Sequence, residues 1–145
     1  MLMTSSSAGT RLLASLPSEQ RSRLTKEDLT LEELRSTAPE IAATLTNADD
    51  AYVFSKTAAN AYAVLLARER PDLFVNAVSP GFTNTDMCKG YEGKRRPKEV
   101  ELGASVFGEA MWGVGKGRTG VFLKQASEAG TKLEDAKTVI TDWST

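Results

Sequence analysis

The sequence predicts an α/β fold for three reasons. An alanine-rich segment, residues 52–70, has apolar residues at helical spacing and ends before Pro71. The apolar run 73–78 follows, and its β-forming residues indicate a buried strand that runs into a turn at 79–81. A second helix and strand are indicated between residues 97 and 123. Helices that alternate with buried strands are typical of a parallel sheet covered by helices.

The composition restricts the function classes. The chain of 145 residues suits one domain, and its 18 basic and 19 acidic residues give a net charge of −1. This balance gives no electrostatic indication of binding to nucleic acid or to an anionic membrane. The N-terminus lacks a signal-peptide pattern, and no apolar stretch is long enough to span a bilayer. We therefore expect a soluble, cytoplasmic protein.

The chain contains no histidine and a single cysteine, Cys88. Without histidine, Ser-His-Asp and Cys-His catalysis and most zinc sites are excluded, and we expect no metal site. A single cysteine cannot form an internal disulfide, which fits a reducing compartment. We expect Cys88 to be a small buried or loop residue and not a nucleophile.

Residues 10–50 contain no functional motif. Thr30, followed three residues later by Glu33, has the pattern of a capping box, which predicts the start of a helix. The stretch before Thr30 is polar, and we expect it to be rich in loops.

Tyr52 and Lys56 are four residues apart and therefore share one face of the predicted helix. A nearby ammonium group favours the phenolate form of a tyrosine, which brings the phenol closer to general acid–base chemistry. A lone pair of this kind is usually an ordinary surface pair. Here the next strand ends at Ser79-Pro80-Gly81, and open α/β sheets bind ligands where their parallel strands end. The same turn could simply end the strand.

Pro97 suits the first position of a helix that we expect from Lys98 to about Trp112. Apolar residues recur along it at helical spacing, and we expect them to face the core. They are Val100, Ala104, Phe107 and Met111.

The segment 115–120 matches Gly-x-Gly-x-x-Gly, but it follows a helix and opens a strand, 121–123. A dinucleotide-binding loop must follow a strand and open a helix, so we predict a turn here. The polar stretch 125–145, which includes Trp143, should cover the surface or line the rim of a pocket.

Two motifs together resemble the short-chain dehydrogenase/reductase family. YVFSK, residues 52–56, is similar to its Tyr-x-x-x-Lys motif, and NAVSPGFTNTDM, residues 76–87, to its Asn-x-Val-x-Pro-Gly-x-x-x-Thr-Asp-Met motif. The resemblance continues through the strand at 121–123. It implies the C-terminal portion of a Rossmann-type doubly wound parallel sheet, with about three strands and flanking helices.

The resemblance implies roles for individual residues. Tyr52 matches the residue that donates a proton to the substrate carbonyl, and Lys56 matches the lysine that makes this tyrosine a stronger acid and bonds the nicotinamide ribose. Both therefore also contact the cofactor. Thr85 matches a hydroxyl that contacts the carboxamide or the pyrophosphate. The loop whose backbone faces the nicotinamide is matched by Pro80, Gly81 and Phe82.

The N-terminal segment MLMTSSSAG resembles the end of the family's fifth strand and the turn that follows it. Ser6 matches the serine that polarises the substrate carbonyl, with Ser5 and Ser7 as alternatives one position away. The 46 positions between Ser6 and Tyr52 exceed the usual interval, so residues 10–50 are similar to the insertion of monomeric carbonyl reductases. This implies a monomer for the full-length form.

A complete family member begins with a strand, a glycine-rich turn and a helix that bind the pyrophosphate. None of these precedes Met1, so we expect a single partial domain over residues 1–145 that lacks the N-terminal strands and the adenosine half of the cofactor site. The asparagine of the family's catalytic tetrad has no counterpart. The first strand would be left with an unpaired edge, through which the truncated chain could self-associate.

The resemblance therefore implies an oxidoreductase of the carbonyl reductase type, which reduces a ketone or aldehyde to an alcohol through Ser6, Tyr52 and Lys56. Its expected cofactor is NADPH, with NADH as the alternative, and its expected partner is a small carbonyl substrate. If the chain is truncated it could be inactive alone. The alternative is a non-catalytic remnant that acts as a binding or oligomerisation module.

Overall fold

The computed structural model describes residues 1–46 and 48–144, and this part of the chain contains a four-stranded sheet and five α-helices. The strands are β1 (Leu2–Thr4), β2 (Asn76–Ser79), β3 (Phe122–Gln125) and β4 (Thr138–Thr141). The helices are α1 (Ser7–Ser15), α2 (Ser18–Thr25), α3 (Leu31–Ala42), α4 (Ala48–Glu69) and α5 (Val100–Trp112). None of the helices in these two ranges is long and apolar enough to cross a membrane.

The sheet has the order β1-β2-β3-β4, in which the first three strands are parallel and β4 is antiparallel to β3. The predicted α/β class and the three parallel strands are confirmed. The sequence did not predict β4, which lies within the stretch expected to cover the surface. β4 is a short edge strand with partly exposed side chains, and its local pattern does not distinguish it from surface chain.

The helices α4 and α5 cover opposite faces of the sheet. Ala77 belongs to a core cluster with the buried side of α4, whereas its neighbour Val78 packs in a second cluster with Val106 of α5. Both crossovers, β1-α4-β2 and β2-α5-β3, step in the same direction across the sheet. Since their helices lie on opposite faces, the two crossovers have opposite hands, and one departs from the usual right-handed rule.

Helix α4 extends from Ala48 to Glu69 and ends just before Pro71, as predicted. The predicted strand 73–78 is shorter at its start, because β2 begins at Asn76. Asn76 is the first residue of β2 that pairs with β1, opposite Leu2. The residues before Asn76 have no partner strand. The amide of Val75 instead donates to the Thr119 hydroxyl at 3.0 Å.

The expectation of a loop-rich segment before Thr30 is wrong, because this segment forms α1 and α2. The side chain of Ser6 accepts a hydrogen bond from the amide of Ala8 and caps α1. Both helices are short and become stable through packing. Leu13, Leu16 and Leu24 are buried in the cluster that covers α4.

The predicted capping box at the start of α3 is confirmed. The Thr30 hydroxyl accepts from the amide of Glu33, and the Glu33 carboxylate accepts from the amide of Thr30 at 2.9 Å. The same carboxylate accepts a bond from the ammonium group of Lys26. These bonds, with that to Lys26 as the largest cause, lower the pKa of Glu33 from its ordinary 4.5 to about 2.

The predicted apolar face of the second helix is wrong for three of its four residues, whereas Phe107 packs against the core cluster as expected. Val100 and Met111 are 49% and 44% exposed, and Ala104 is also exposed. The buried residues of α5 are Leu102, Gly103, Val106 and Ala110. Apolar residues occur on both sides of α5, so their spacing alone does not show which side faces the strands.

Helix α5 begins at Val100, two residues later than predicted. Lys98 cannot join it because its backbone pairs with the loop after β2: its amide donates to Phe82 and its carbonyl accepts from Asn84, both at 2.8 Å. The segment 115–120 connects α5 to β3, which confirms that it is a turn.

We expect Glu33→Gln to lower the Tm near neutral pH, because a neutral amide makes a weaker bond to Lys26. The contribution of an ionised Glu33 is present above pH 4.5 and is lost as the pH falls towards about 2, so the difference in Tm should shrink over that window. Thermal unfolding followed by circular dichroism at several pH values measures this difference. Glu32→Gln, on the same first turn, is the control, and a constant difference at all pH values would contradict the assignment.

Candidate active site

The parallel strands end at one edge of the sheet, where most of the candidate site residues lie. Ser5 to Ser7 follow β1, and the loop 80–82 follows β2. The amide of Ser7 donates to the Ser79 hydroxyl at 3.2 Å, which joins the two strand ends. The topology therefore places the serine turn and the loop side by side, as expected for a ligand site of a parallel sheet.

Tyr52 and Lys56 share one face of α4, as predicted. The Lys56 Nζ atom lies 5.5 Å from the centroid of the Tyr52 ring, in a cation–π arrangement. It also donates to the carbonyl oxygen of Thr4 at 3.4 Å, at the end of β1. The Tyr52 side chain is 44% exposed, so its phenol is accessible to a ligand.

The three serines have different environments. Ser5 is buried, and its hydroxyl donates to Oδ1 of Asn60 at 2.6 Å. The Ser7 hydroxyl lies 3.4 Å from that of Ser79. The Ser6 hydroxyl is partly exposed and accepts the capping bond of α1, which leaves its own proton for donation to a ligand. Of the three, Ser6 therefore has the hydroxyl best suited to contact a substrate.

A close contact at Gly9 ties the serine turn to α4. A Cβ atom at this position would lie 2.8 Å from the backbone carbon of Lys56 and from the nitrogen of Thr57. The Thr57 hydroxyl donates to the carbonyl of Gly9 at 2.9 Å. The start of α1 thus packs directly on the turn of α4 that carries Lys56, and Ser6 lies three residues away.

The loop after β2 turns sharply at Gly81, whose φ is +79°. The Phe82 ring packs edge-on against Tyr91, with centroids 4.7 Å apart, and the Arg95 guanidinium lies 5.6 Å from its centroid. Thr85 is exposed and begins the 3₁₀ turn Asp86–Cys88. Its hydroxyl lies 3.4 Å from the carbonyl of Thr83 and contacts neither the serine turn nor Lys56 in the described residues.

Cys88 is a free, half-buried cysteine in that 3₁₀ turn, and its Sγ lies 2.8 Å from the carbonyl of Thr83. Within residues 1–46 and 48–144, no group of three or more potential metal ligands is found.

Sequence reasoning missed three residues near the site. Asn60 lies one turn after Lys56 on the same face of α4, so its position was available from the helical spacing. No local sequence pattern indicated a role for Ser79 or Lys98. Their roles depend on contacts across more than 25 positions of the chain, to Ser7 and to Gln125.

A cavity lies away from these residues. It has a volume of about 440 Å³ and is lined by Leu24, Leu65, Arg68 and Trp143, among others. It also touches Gly120, which precedes β3, so it opens at the edge of the sheet opposite the serine turn. We place the candidate site around Tyr52 and Lys56, because the Lys56 ammonium contacts both the Tyr52 ring and the end of β1 there. Residues 140–144 line this cavity, so this part of the C-terminal stretch follows the second of the two expectations for 125–145, the lining of a pocket rim.

One comparison with known proteins gives a partial match. A stretch of 37 residues is 54% identical to (+)-neomenthol dehydrogenase from Arabidopsis thaliana and covers 26% of this chain. The match spans 12% of the relative's length. No protein-family model matches the chain. The match supports at most the short-chain dehydrogenase/reductase resemblance and nothing narrower.

We expect Gly9→Ala to destabilise the chain by about 1–3 kcal/mol, because the added methyl group meets backbone atoms that cannot move aside. Gly108→Ala in α5 is the matched control, since nothing lies within 4 Å of a Cβ there. It should leave the free energy of unfolding unchanged or raise it by roughly 0.5–1 kcal/mol. Urea unfolding measures both. Equal effects of the two variants would show that Gly9 is not in close contact with α4.

Proposed function

We propose that this chain carries the catalytic residues of a nicotinamide-dependent oxidoreductase of the short-chain dehydrogenase/reductase kind, which reduces a ketone or aldehyde to an alcohol. The observation that carries the proposal is the position of Lys56, whose ammonium lies between the Tyr52 ring and the end of β1. Lys56 thereby links Tyr52 to the strand end that precedes the serine turn. The partial match to a dehydrogenase supports the same class.

Tyr52 is the proposed proton donor. Its accessible phenol gives a proton to the carbonyl oxygen as this oxygen gains negative charge. The Lys56 ammonium stabilises the phenolate that remains. Ser6 donates its free hydroxyl proton in a hydrogen bond to the same oxygen, which stabilises the developing charge.

The residues of the candidate site fit a nicotinamide cofactor, which would supply the hydride when bound. An ammonium group has three donors, and Lys56 uses one of them in a long bond to Thr4. The others are available for ribose hydroxyls. Gly81 is exposed between Pro80 and Phe82, and the backbone of this loop would face the nicotinamide. We propose NADPH, with NADH as the alternative, and Thr85 as a further contact.

For the substrate we propose a small apolar carbonyl compound, as for a carbonyl reductase. The related dehydrogenase is named for (+)-neomenthol, a cyclic secondary alcohol. The ketone that corresponds to this alcohol is therefore the first substrate to test. Phe82, in the loop after β2, and Tyr91 have their rings in contact and provide an aromatic surface that suits such a ring.

A second candidate function is a binding or oligomerisation module. The observation that favours it is the position of β1 at the edge of the described sheet, where it pairs with β2 alone. An open strand edge can pair with another chain. Met1 and Ser5 make the backbone bonds to β2, so the amide of Thr4 faces the open edge of this parallel strand. Light scattering after size-exclusion chromatography tests the module: association that Thr4→Pro abolishes would support it, and a monomer at all concentrations would oppose it.

We expect Tyr52→Phe to lower NADPH-dependent ketone reduction by about 10²–10⁴-fold, because the proton donor is removed while the ring remains. NADPH consumption, together with detection of the alcohol, measures the rate. Tyr62→Phe, on the same helix, is the control and should retain the rate of the wild type. Unchanged turnover in Tyr52→Phe would refute the assigned donor, and the absence of any turnover in the wild type would refute activity of this chain.

We expect Lys56→Met to weaken both turnover and NADPH binding, since it removes the charge beside Tyr52 and the donors for the ribose. Met keeps most of the apolar stem of lysine and so limits the loss of packing. Isothermal titration with NADPH measures the affinity. A normal NADPH affinity in Lys56→Met would contradict the proposed ribose contact even if turnover fell.

A further inference from the structure

Lys98 is a buried cationic side chain, 5% exposed, that lies beside the loop after β2. Its Nζ atom donates to the backbone carbonyl of Gln125 at 2.8 Å and to the side-chain Oε1 of the same residue at 2.7 Å. No carboxylate lies within ion-pair distance of it in the described residues. Burial lowers the pKa of Lys98, and Arg95 lowers it further, while Glu128 opposes both effects.

Burying an ammonium group is costly unless its donors find acceptors. An apolar residue would fill this space without that cost. The presence of a buried lysine with two bonds to Gln125 therefore requires an explanation. Gln125 is the last residue of β3, and its side chain is itself held by the amide of Ser127 at 2.9 Å. The ammonium is therefore attached to a fixed point at the carboxyl end of the sheet.

The backbone of Lys98 is attached to the loop. Its amide donates to Phe82 and its carbonyl accepts from Asn84, and it forms a parallel bridge with Thr83. The side chain then crosses beneath Gly81, where a Cβ atom would lie 2.8 Å from Nζ. Two features thus favour glycine at position 81: its positive φ and the ammonium group below it.

We infer that Lys98 is a positioning residue, which clamps the loop 80–84 to the end of β3 and so fixes the backbone that receives the nicotinamide. The backbone of Lys98 holds the loop at Phe82 and Asn84, and its side chain holds this assembly to Gln125. The part of the inference that concerns the cofactor rests on the proposed function. The clamp itself does not, because it follows from the contacts alone.

Lys98→Met tests the clamp, since Met keeps the length of the stem and removes the donors. We expect hydrogen exchange of the Asn84 amide, which donates to the Lys98 carbonyl, to become faster in this variant when it is followed by NMR. The expected acceleration is on the order of tenfold, because the variant loses the charged bonds from Lys98 to Gln125 that hold the loop closed. The amides of Val78 and Leu123 in the sheet should keep their rates. Lys94→Met, an exposed lysine of the same connection, is the control and should change neither set.

Unchanged exchange at Asn84 would overturn the clamp, and so would an equal acceleration throughout the sheet, which would indicate general destabilisation. If Lys98→Met does not fold, Gln125→Met provides the same test, because it removes one of the two acceptors and should accelerate Asn84 to a smaller extent. No acceleration at Asn84 in a folded Gln125→Met would also overturn it.

NADPH titration of the same variants tests the second part. If the wild type binds NADPH, Lys98→Met should bind it more weakly, and Lys94→Met should not. Equal affinity of Lys98→Met and the wild type would show that the clamp does not serve the cofactor. If the wild type binds no NADPH, the proposed function fails for this chain, and the exchange rates still decide whether Lys98 holds the loop.

Discussion

The close packing of the serine turn on α4 is the contact on which the rest of the site depends. Gly9 allows the backbone of α1 to touch that of Lys56 and Thr57, and the buried bond from Ser5 to Asn60 closes the same contact from the side of β1. A larger residue at position 9 would separate the strand end from the helix. Without this approach, the Lys56 ammonium would not reach β1.

The loop after β2 is the second part of the candidate site, and its position depends on the placement of α4 and α5 on opposite faces of the sheet. Helix α4 covers one face of the sheet and α5 covers the other, so β2 lies between two separate core clusters. The loop with Gly81 begins at the end of β2, between these two layers of helices. Lys98 then enters the loop from the start of α5. The serine turn and the loop after β2 are joined by the bond from the amide of Ser7 to the Ser79 hydroxyl.

Local patterns predicted the features that local contacts determine. The shared face of Tyr52 and Lys56 follows from helical spacing, and the capping box at Thr30 involves residues three positions apart. The core-facing side of α5 was predicted wrongly because apolar residues such as Val100 and Val106 lie on both sides, and only contacts with distant strands select one. Helices α1 and α2, strand β4 and the role of Lys98 depend on such distant contacts as well.

The central claim is that Tyr52, Lys56 and the loop at Gly81 form one site for a nicotinamide cofactor. Its most direct test is a heteronuclear NMR titration of the chain with NADPH, in which each backbone amide is followed separately. The account predicts saturable shifts at Ser6, Lys56 and Gly81, with the indole signal of Trp143 in the distant cavity unchanged. Shifts confined to the Trp143 cavity, or no saturable shift in a folded chain, would contradict it.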